Sequence, residues 1–242
     1  MIGLMSITVN TQTSPAQGRS LLVVEDEPLL RELLSRALED RGFAVATAGT
    51  PSDARHAFLD SDPDGIIMDI DLGPGPNGFE LADALLELKT GCVVVFLTNL
   101  PDPRFAGRRK GDLPTGIAYL NKRSVTDINL LIQTVESTLR GTVNASMRHD
   151  LDPDRPFAEL TQSQAELLRL VALGKTNAQI AEARGTKERA VEAAVTRVFD
   201  ALGIHEGPDA NYRVVAARRF FRWAGSPLPF SSDDGASEDA DR

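Results

Sequence analysis

The sequence predicts a doubly wound α/β domain on a five-stranded parallel sheet, followed by a small all-α domain. Three observations predict it. Short apolar runs alternate five times with amphipathic or turn-rich stretches up to about residue 140. Beyond residue 156 the apolar spacing is helical only. Between the two lies 141–156, a polar stretch rich in turn formers that reads as a linker. The boundaries that follow are a flexible N-terminal arm (1–18), an α/β domain (19–140), the linker, a helical domain (157–225) and a disordered acidic tail (226–242).

Each element has its own signal. Leu21 to Val24 is a short strand ended by Glu25-Asp26-Glu27. Pro28 then opens a helix with Leu29, Leu30, Leu33, Leu34, Ala37 and Leu38 at helical spacing. Gly42 stops that helix, Ala44 to Ala46 is the second strand, and Thr50-Pro51 starts a helix through Ala54, Ala57, Phe58 and Leu59. Gly65 to Met68 is the third strand and runs into Asp69. A Gly/Pro-rich loop, residues 73–78, leads to the helix Phe79 to Leu88, and Val93 to Leu97 is the fourth strand, apolar enough to be covered on both faces. Ile117 to Leu120 is the fifth, with a closing helix from Thr126 to Leu139. Between Thr98 and Ile117, Pro101, Pro103, Gly107, Gly111 and Pro114 predict a fourth helix that is short, distorted or missing.

In the second domain Thr161 with Gln164 and Thr176 with Gln179 form two capping boxes, each ahead of a periodic apolar helix that ends at Gly174 or Gly185. A third helix, Glu188 to Leu202, buries Val191, Val195, Val198, Phe199 and Leu202. A fourth, Tyr212 to Trp223, carries Arg213, Arg218, Arg219 and Arg222.

Composition narrows the function classes. No run of eighteen apolar residues and no signal-peptide order is present, so a cytoplasmic protein without a membrane partner is expected. The single Cys92 makes no internal disulfide and reads as a buried small apolar residue. Three scattered histidines offer no soft metal site. The net charge of −9 is uneven: residues 1–155 are at −7, 156–230 at +2 and the tail at −4. Only the second domain has the sign to approach a phosphate backbone, and weakly.

In an open parallel sheet, ligands bind where the strand carboxyl ends emerge. Glu25, Asp26, Asp69, Thr98 and Lys122 all fall at such ends, on strands one, three, four and five. Three carboxylates are hard oxygen ligands suited to Mg²⁺. A carboxylate can attack phosphorus to give an aspartyl phosphate, with a metal and a lysine neutralising the charge that develops. Asp71 rivals Asp69 as the nucleophile, but Asp69 directly continues the apolar strand.

The stretches LLVVEDEP, IIMDIDLGPGPNG, VVVFLT and AYLNK resemble the flavodoxin-like receiver domain of two-component response regulators across residues 20–140. The resemblance implies that Glu25 and Asp26 are the metal pair and that Asp69 is phosphorylated by a partner histidine kinase. It also implies that Thr98 is the switch hydroxyl, Lys122 the phosphate partner and Tyr119 an aromatic that reorients. Departures are Glu25 for the commoner Asp, a phosphoacceptor loop one residue longer, and Arg123 where a Pro usually follows the Lys. An alternative class, the haloacid-dehalogenase-like phosphatases, also uses an Asp nucleophile with Mg²⁺ and would make the chain an enzyme. There, however, the nucleophile strand usually comes first and the acidic pair last, the reverse of the order here.

Residues 160–203 resemble the LuxR-type helix-turn-helix output domain of the NarL/FixJ class, with LGKTNAQIA and ALGI as its distinctive runs. By that resemblance Asn177 to Arg184 is the scaffold helix and Lys187 to Leu202 the recognition helix, acting on double-stranded DNA as a homodimer formed on activation. Lys187, Arg189, Glu192, Thr196 and Arg197 are its DNA-contacting candidates. Lys187, Ala190, Glu192 and Ala194 depart from the usual residues, and Glu192 in particular adds repulsion toward phosphate. The alternative is a helical domain that binds protein, independently of phosphorylation.

Overall fold

The structure, a computed structural model, describes residues 18–109, 112–114, 116–204 and 211–224. The expected acidic tail and nearly all of the expected N-terminal arm lie outside the described residues. The chain runs β1 (Ser20–Val24), α1 (Pro28–Glu39), β2 (Ala44–Ala48), α2 (Pro51–Ser61), β3 (Gly65–Met68), α3 (Gly78–Leu88), β4 (Val93–Thr98), β5 (Ala118–Asn121) and α4 (Ile128–Leu139). The helical domain follows with α5 (Gln162–Ala172), α6 (Asn177–Ala183), α7 (Glu188–Ala201) and α8 (Tyr212–Ala224). No helix among the described residues is long and apolar enough to cross a membrane.

The five strands form one sheet, all parallel, in the order β2-β1-β3-β4-β5. Alternation of side chains sorts each strand between two cores. Leu22, Val24, Ile66, Met68, Val94 and Phe96 face α2 and α3. Leu21, Val23, Ile67, Val95, Leu97 and Leu120 face α1 and α4. Strands buried on both faces explain why these runs read as continuously apolar. The α1 stripe is narrower than its spacing predicts. Leu34 and Leu38 are buried, but Leu29 and Leu33 are 65% and 56% exposed, because only one edge of the helix meets the sheet. Cys92 is buried, as expected, and burial pushes its thiol up to about 11.

Local signals set the helix ends. Thr50 accepts from the Asp53 amide above Pro51, and both capping boxes of the helical domain are made in full: Thr161 and Gln164, and Thr176 and Gln179, each bond the other's backbone N–H. Gly174 and Gly185 take φ of +76° and +60°, the left-handed turn that ends a helix.

Between β4 and β5, where a helix was expected to be short or missing, the described residues make one 3₁₀ turn, Pro103–Ala106. Its Phe105 is 1% exposed and belongs to the aromatic core of the helical domain, edge-on to Phe157 at 5.4 Å and to Phe220 at 5.2 Å. The polar linker does not hang free. Arg148 bridges to Tyr119 at the β5 edge and pairs with Asp150 at 2.8 Å, and Met147, Arg148, Asp150 and Arg155 are buried.

At this junction Asp102 accepts from Arg104 Nε at 2.8 Å and from Arg155 Nε at 2.8 Å, with all three residues buried. Burial acts to raise the Asp102 pKa, but the hydrogen bonds and charge of Arg104, with the charge of Arg155, outweigh it and hold the carboxyl below its usual range. A depressed carboxylate contributes stability above its unfolded pKa, about 3.9. That contribution is lost as pH falls from there through the folded value. Thermal unfolding followed by circular dichroism is therefore expected to show a midpoint that drops on acidification from about pH 5. In Asp102→Asn the midpoint is lower throughout but less dependent on pH over that range.

Candidate functional site

The ladder of the sheet continues one step beyond the strands and so fixes the backbone of the site. The Glu25 amide bonds Ala48 O at 3.1 Å, the Asp69 amide bonds Val24 O at 2.9 Å, and the Lys122 amide bonds Thr98 O at 2.8 Å. The chain order reverses between β1 and β3, the switch point where doubly wound sheets open a crevice. Glu25, Asp26 and Asp69 emerge there, with Thr98 and Lys122 from the next two strands, around a cavity of about 240 Å³. Five of the predicted residues are thus brought together.

Lys122 Nζ lies 2.7 Å from Glu25 and 2.6 Å from Asp69. Glu25 and Asp69 are buried, and Asp26 is exposed. Asp69 Oδ1 also accepts from the Ile70 amide at 2.6 Å and the Asp71 amide at 3.3 Å. Burial lifts the Glu25 carboxyl to about 7, with the Asp69 charge adding and Lys122 opposing. Asp71, half-buried in the same cavity, is lifted to about 6 by burial and then by Asp69 and Asp26. One lysine does not compensate so much negative charge.

One ligand oxygen from each of Glu25, Asp26 and Asp69 lies within 4.8 Å of the others. Three hard donors, partly open to water and short of positive charge, fit a hard divalent cation such as Mg²⁺. Thr98 is fully buried, and its Oγ1 accepts from the Leu100 amide at 3.3 Å. Tyr119 stands apart from the cavity. It is fully buried, points inward and donates its hydroxyl to Leu100 O at 2.8 Å.

Two supporting residues were not identified from the sequence. Arg31, in the first turn of α1, donates to Glu25 O at 2.6 Å and Asp26 O at 3.3 Å, pinning the acidic loop. Gly78 lets α3 start against the Asp69 backbone, where a Cβ would lie 2.0 Å from Asp69 O. The glycine stood in plain view as the last residue of the turn-rich loop. Nothing in Arg31's local pattern points to its partner.

In the helical domain, α6, a four-residue turn and α7 form a helix-turn-helix. Lys187, Arg189, Glu192, Thr196 and Arg197 all lie exposed on or beside α7. The Thr196 hydroxyl donates back to Glu192 O at 3.1 Å. Two of the α8 arginines are committed inside the domain. Arg213 holds Asn177 Oδ1 at 2.9 Å and Lys175 O, and Arg219 holds Leu202 O; Arg218 and Arg222 are exposed.

An acidic pocket at the switch point of a parallel sheet, joined to a helix-turn-helix domain, defines the class of two-domain transcription regulators. Family models agree: residues 21–109 match the response regulator receiver domain, and residues 158–213 match the bacterial regulatory proteins of the luxR family. The chain belongs to the response regulators that carry a luxR-family DNA-binding domain. It is 29% identical over 197 residues to the transcriptional regulatory protein DesR of Bacillus subtilis, spanning 80% of this chain and 95% of DesR. It is 32% identical over 164 residues to the uncharacterized transcriptional regulatory protein YvfU of the same organism, spanning 66% and 78%. The response regulator RcsB solved in complex with DNA shares the fold at TM-score 0.51 and 17% identity, over 83% of this chain and 96% of that one. The family is one of transcription regulators, which sets aside the phosphatase alternative.

If the three carboxylates hold the cation, Mg²⁺ at about 100 times its dissociation constant raises unfolding stability by about 2.7 kcal/mol. Thermal melts with and without Mg²⁺ are expected to show that gain in the wild type and lose most of it in Asp26→Ala, an exposed position whose loss does not disturb the core.

Proposed function

We propose that this response regulator accepts a phosphoryl group on Asp69 from a histidine kinase and regulates transcription from the cytoplasm by binding DNA through α7. The observation that carries the reading is the buried contact of Lys122 with both Asp69 and Glu25, 2.6 and 2.7 Å long, at the sheet's switch point. Glu25, Asp26 and Asp69 would hold Mg²⁺, which supplies positive charge to phosphoryl oxygens when bound. Asp69 offers a carboxylate oxygen to phosphorus, and the bond from phosphorus to the donor's imidazole nitrogen breaks as the new P–O bond forms. The Ile70 and Asp71 amides orient that carboxylate. Lys122 moves from pairing with a carboxylate to pairing with the phosphoryl oxygens. Thr98 gives up its contact with the Leu100 amide and donates its own hydroxyl proton instead. Because Tyr119 holds Leu100 from its carbonyl side, a change at Thr98 is felt at Leu100.

Intact-mass analysis after treatment with acetyl phosphate and Mg²⁺ tests the first half. The expected result is a single labile phosphate adduct in the wild type and none in Asp69→Ala. An adduct retained in that variant moves the phosphoacceptor elsewhere, with Asp71 the first alternative.

On the output side, Lys187, Arg189 and Arg197 supply donors to phosphate, while Glu192 can accept from a cytosine amino group. A homodimer would double these contacts across two half-sites. Binding measured against salt concentration tests this half. Arg197→Ala is expected to weaken binding to all duplexes alike and to lower the logarithmic salt slope by about 1, as the loss of one phosphate contact requires. Binding insensitive to salt and to Arg197 would instead favour a protein partner for this domain.

A further inference from the structure

We propose that in the unphosphorylated chain the receiver is latched into the core of the output domain by Phe105 and Arg104, on the side away from α7, so that DNA is bound without release of one domain from the other. This rests on the DNA-binding reading above.

The latch has three parts. Phe105, from the β4–β5 segment of the receiver, is 1% exposed among the apolar residues of α5 and α8, with Phe157 and Phe220 edge-on to it. Next to it Arg104 is 2% exposed and forked onto Asp102, with Nε to Oδ1 at 2.8 Å and Nη2 to Oδ2 at 2.6 Å. Its remaining donors go to the output domain, Nη2 to Phe157 O at 2.9 Å and Nη1 to Leu160 O. Arg155 closes the fork from the linker, with Nε on Asp102 Oδ2 at 2.8 Å. Gln162 at the start of α5 reaches back to Arg108 O at 3.2 Å, and Arg123 beyond β5 donates to Arg222 O on α8.

Aromatic burial of this kind and guanidinium bonds to carbonyls are features of a domain interior, not of a transient contact, since a separated Arg104 would leave two output-domain carbonyls to find new donors. These contacts gather on α5, α8 and the chain leading into α5. The outward residues of α7 (Lys187, Arg189, Glu192, Thr196 and Arg197) are all exposed in the same arrangement. A receiver that masked the recognition helix would bury them.

The test uses the full chain. Anisotropy of a labelled duplex of about 10 base pairs, one helical turn and too short for two half-sites, is read at low salt, where non-specific binding is measurable. Wild type with and without acetyl phosphate and Mg²⁺, and Asp69→Ala, are expected to bind within about twofold of one another. Hydrogen exchange of the same samples is expected to leave α5 and α8 amides protected whether or not the chain is phosphorylated. In Phe105→Ala those amides exchange faster while β1 and β3 keep their protection. Should Phe105→Ala not fold, Phe105→Leu keeps an apolar plug and is expected to show the same effect in milder form. Binding that rises tenfold or more only on phosphorylation overturns the latch and leaves the DNA reading standing. No binding by either form overturns both. Exchange in α5 and α8 indifferent to Phe105 also overturns the latch.

Discussion

Three strand ends are held together by one ammonium group. Lys122, just beyond β5, reaches Glu25 beyond β1 and Asp69 beyond β3 at 2.6 to 2.8 Å, and both carboxylates are buried. Buried charge is tolerated only when paired, and loss of one partner in such a cluster costs about 3–5 kcal/mol. The pairing is also incomplete, because Glu25, Asp26, Glu27, Asp69 and Asp71 line the cavity against a single lysine. The raised Glu25 and Asp71 carboxyls are the consequence, burial first and mutual repulsion second. The same imbalance gives the pocket an attraction for added positive charge.

From that pocket, one short stretch of chain leads outward. Thr98 ends β4, Leu100 is held by the Thr98 hydroxyl oxygen at its amide and by the Tyr119 hydroxyl at its carbonyl, and Asp102 begins the ion cluster with Arg104 and Arg155. Leu100 packs against both the receiver core and the core of the helical domain. Prolines at 101, 103 and 114 deny this segment a regular helix, since each lacks an N–H and restricts the residue before it. What replaces the helix is a turn that points Phe105 at a neighbour. The receiver family match ends at Arg109, within the same segment.

The output domain carries little electrostatic pull of its own. With +2 over residues 156–230 and acidic residues interspersed along α7, long-range attraction to a phosphate backbone is weak. Recognition must then depend more on short-range contacts of an exposed helix held in a fixed posture than on charge. The two arginines of α8 that might have added to the field, Arg213 and Arg219, are spent on carbonyls and an amide within the domain.

Much of this molecule is legible from its residues alone. Alternating apolar runs placed the five strands, and strand ends in a parallel sheet have one exit, so Glu25, Asp26, Asp69, Thr98 and Lys122 were certain to meet once the fold class was recognised. Capping boxes at Thr161 and Thr176 were readable because each is closed by partners three residues apart. Tertiary structure alone decided the rest. It left Leu29 and Leu33 in water despite their spacing, aimed Arg31 at the acidic loop, turned Tyr119 inward onto Leu100, and seated Phe105 and Arg104 of one domain within the other. Periodicity and caps report interactions within a few residues of chain. An aromatic in a proline-rich loop has no period to declare its face, and its partners Phe157 and Phe220 lie 52 and 115 residues away, where only packing can select them.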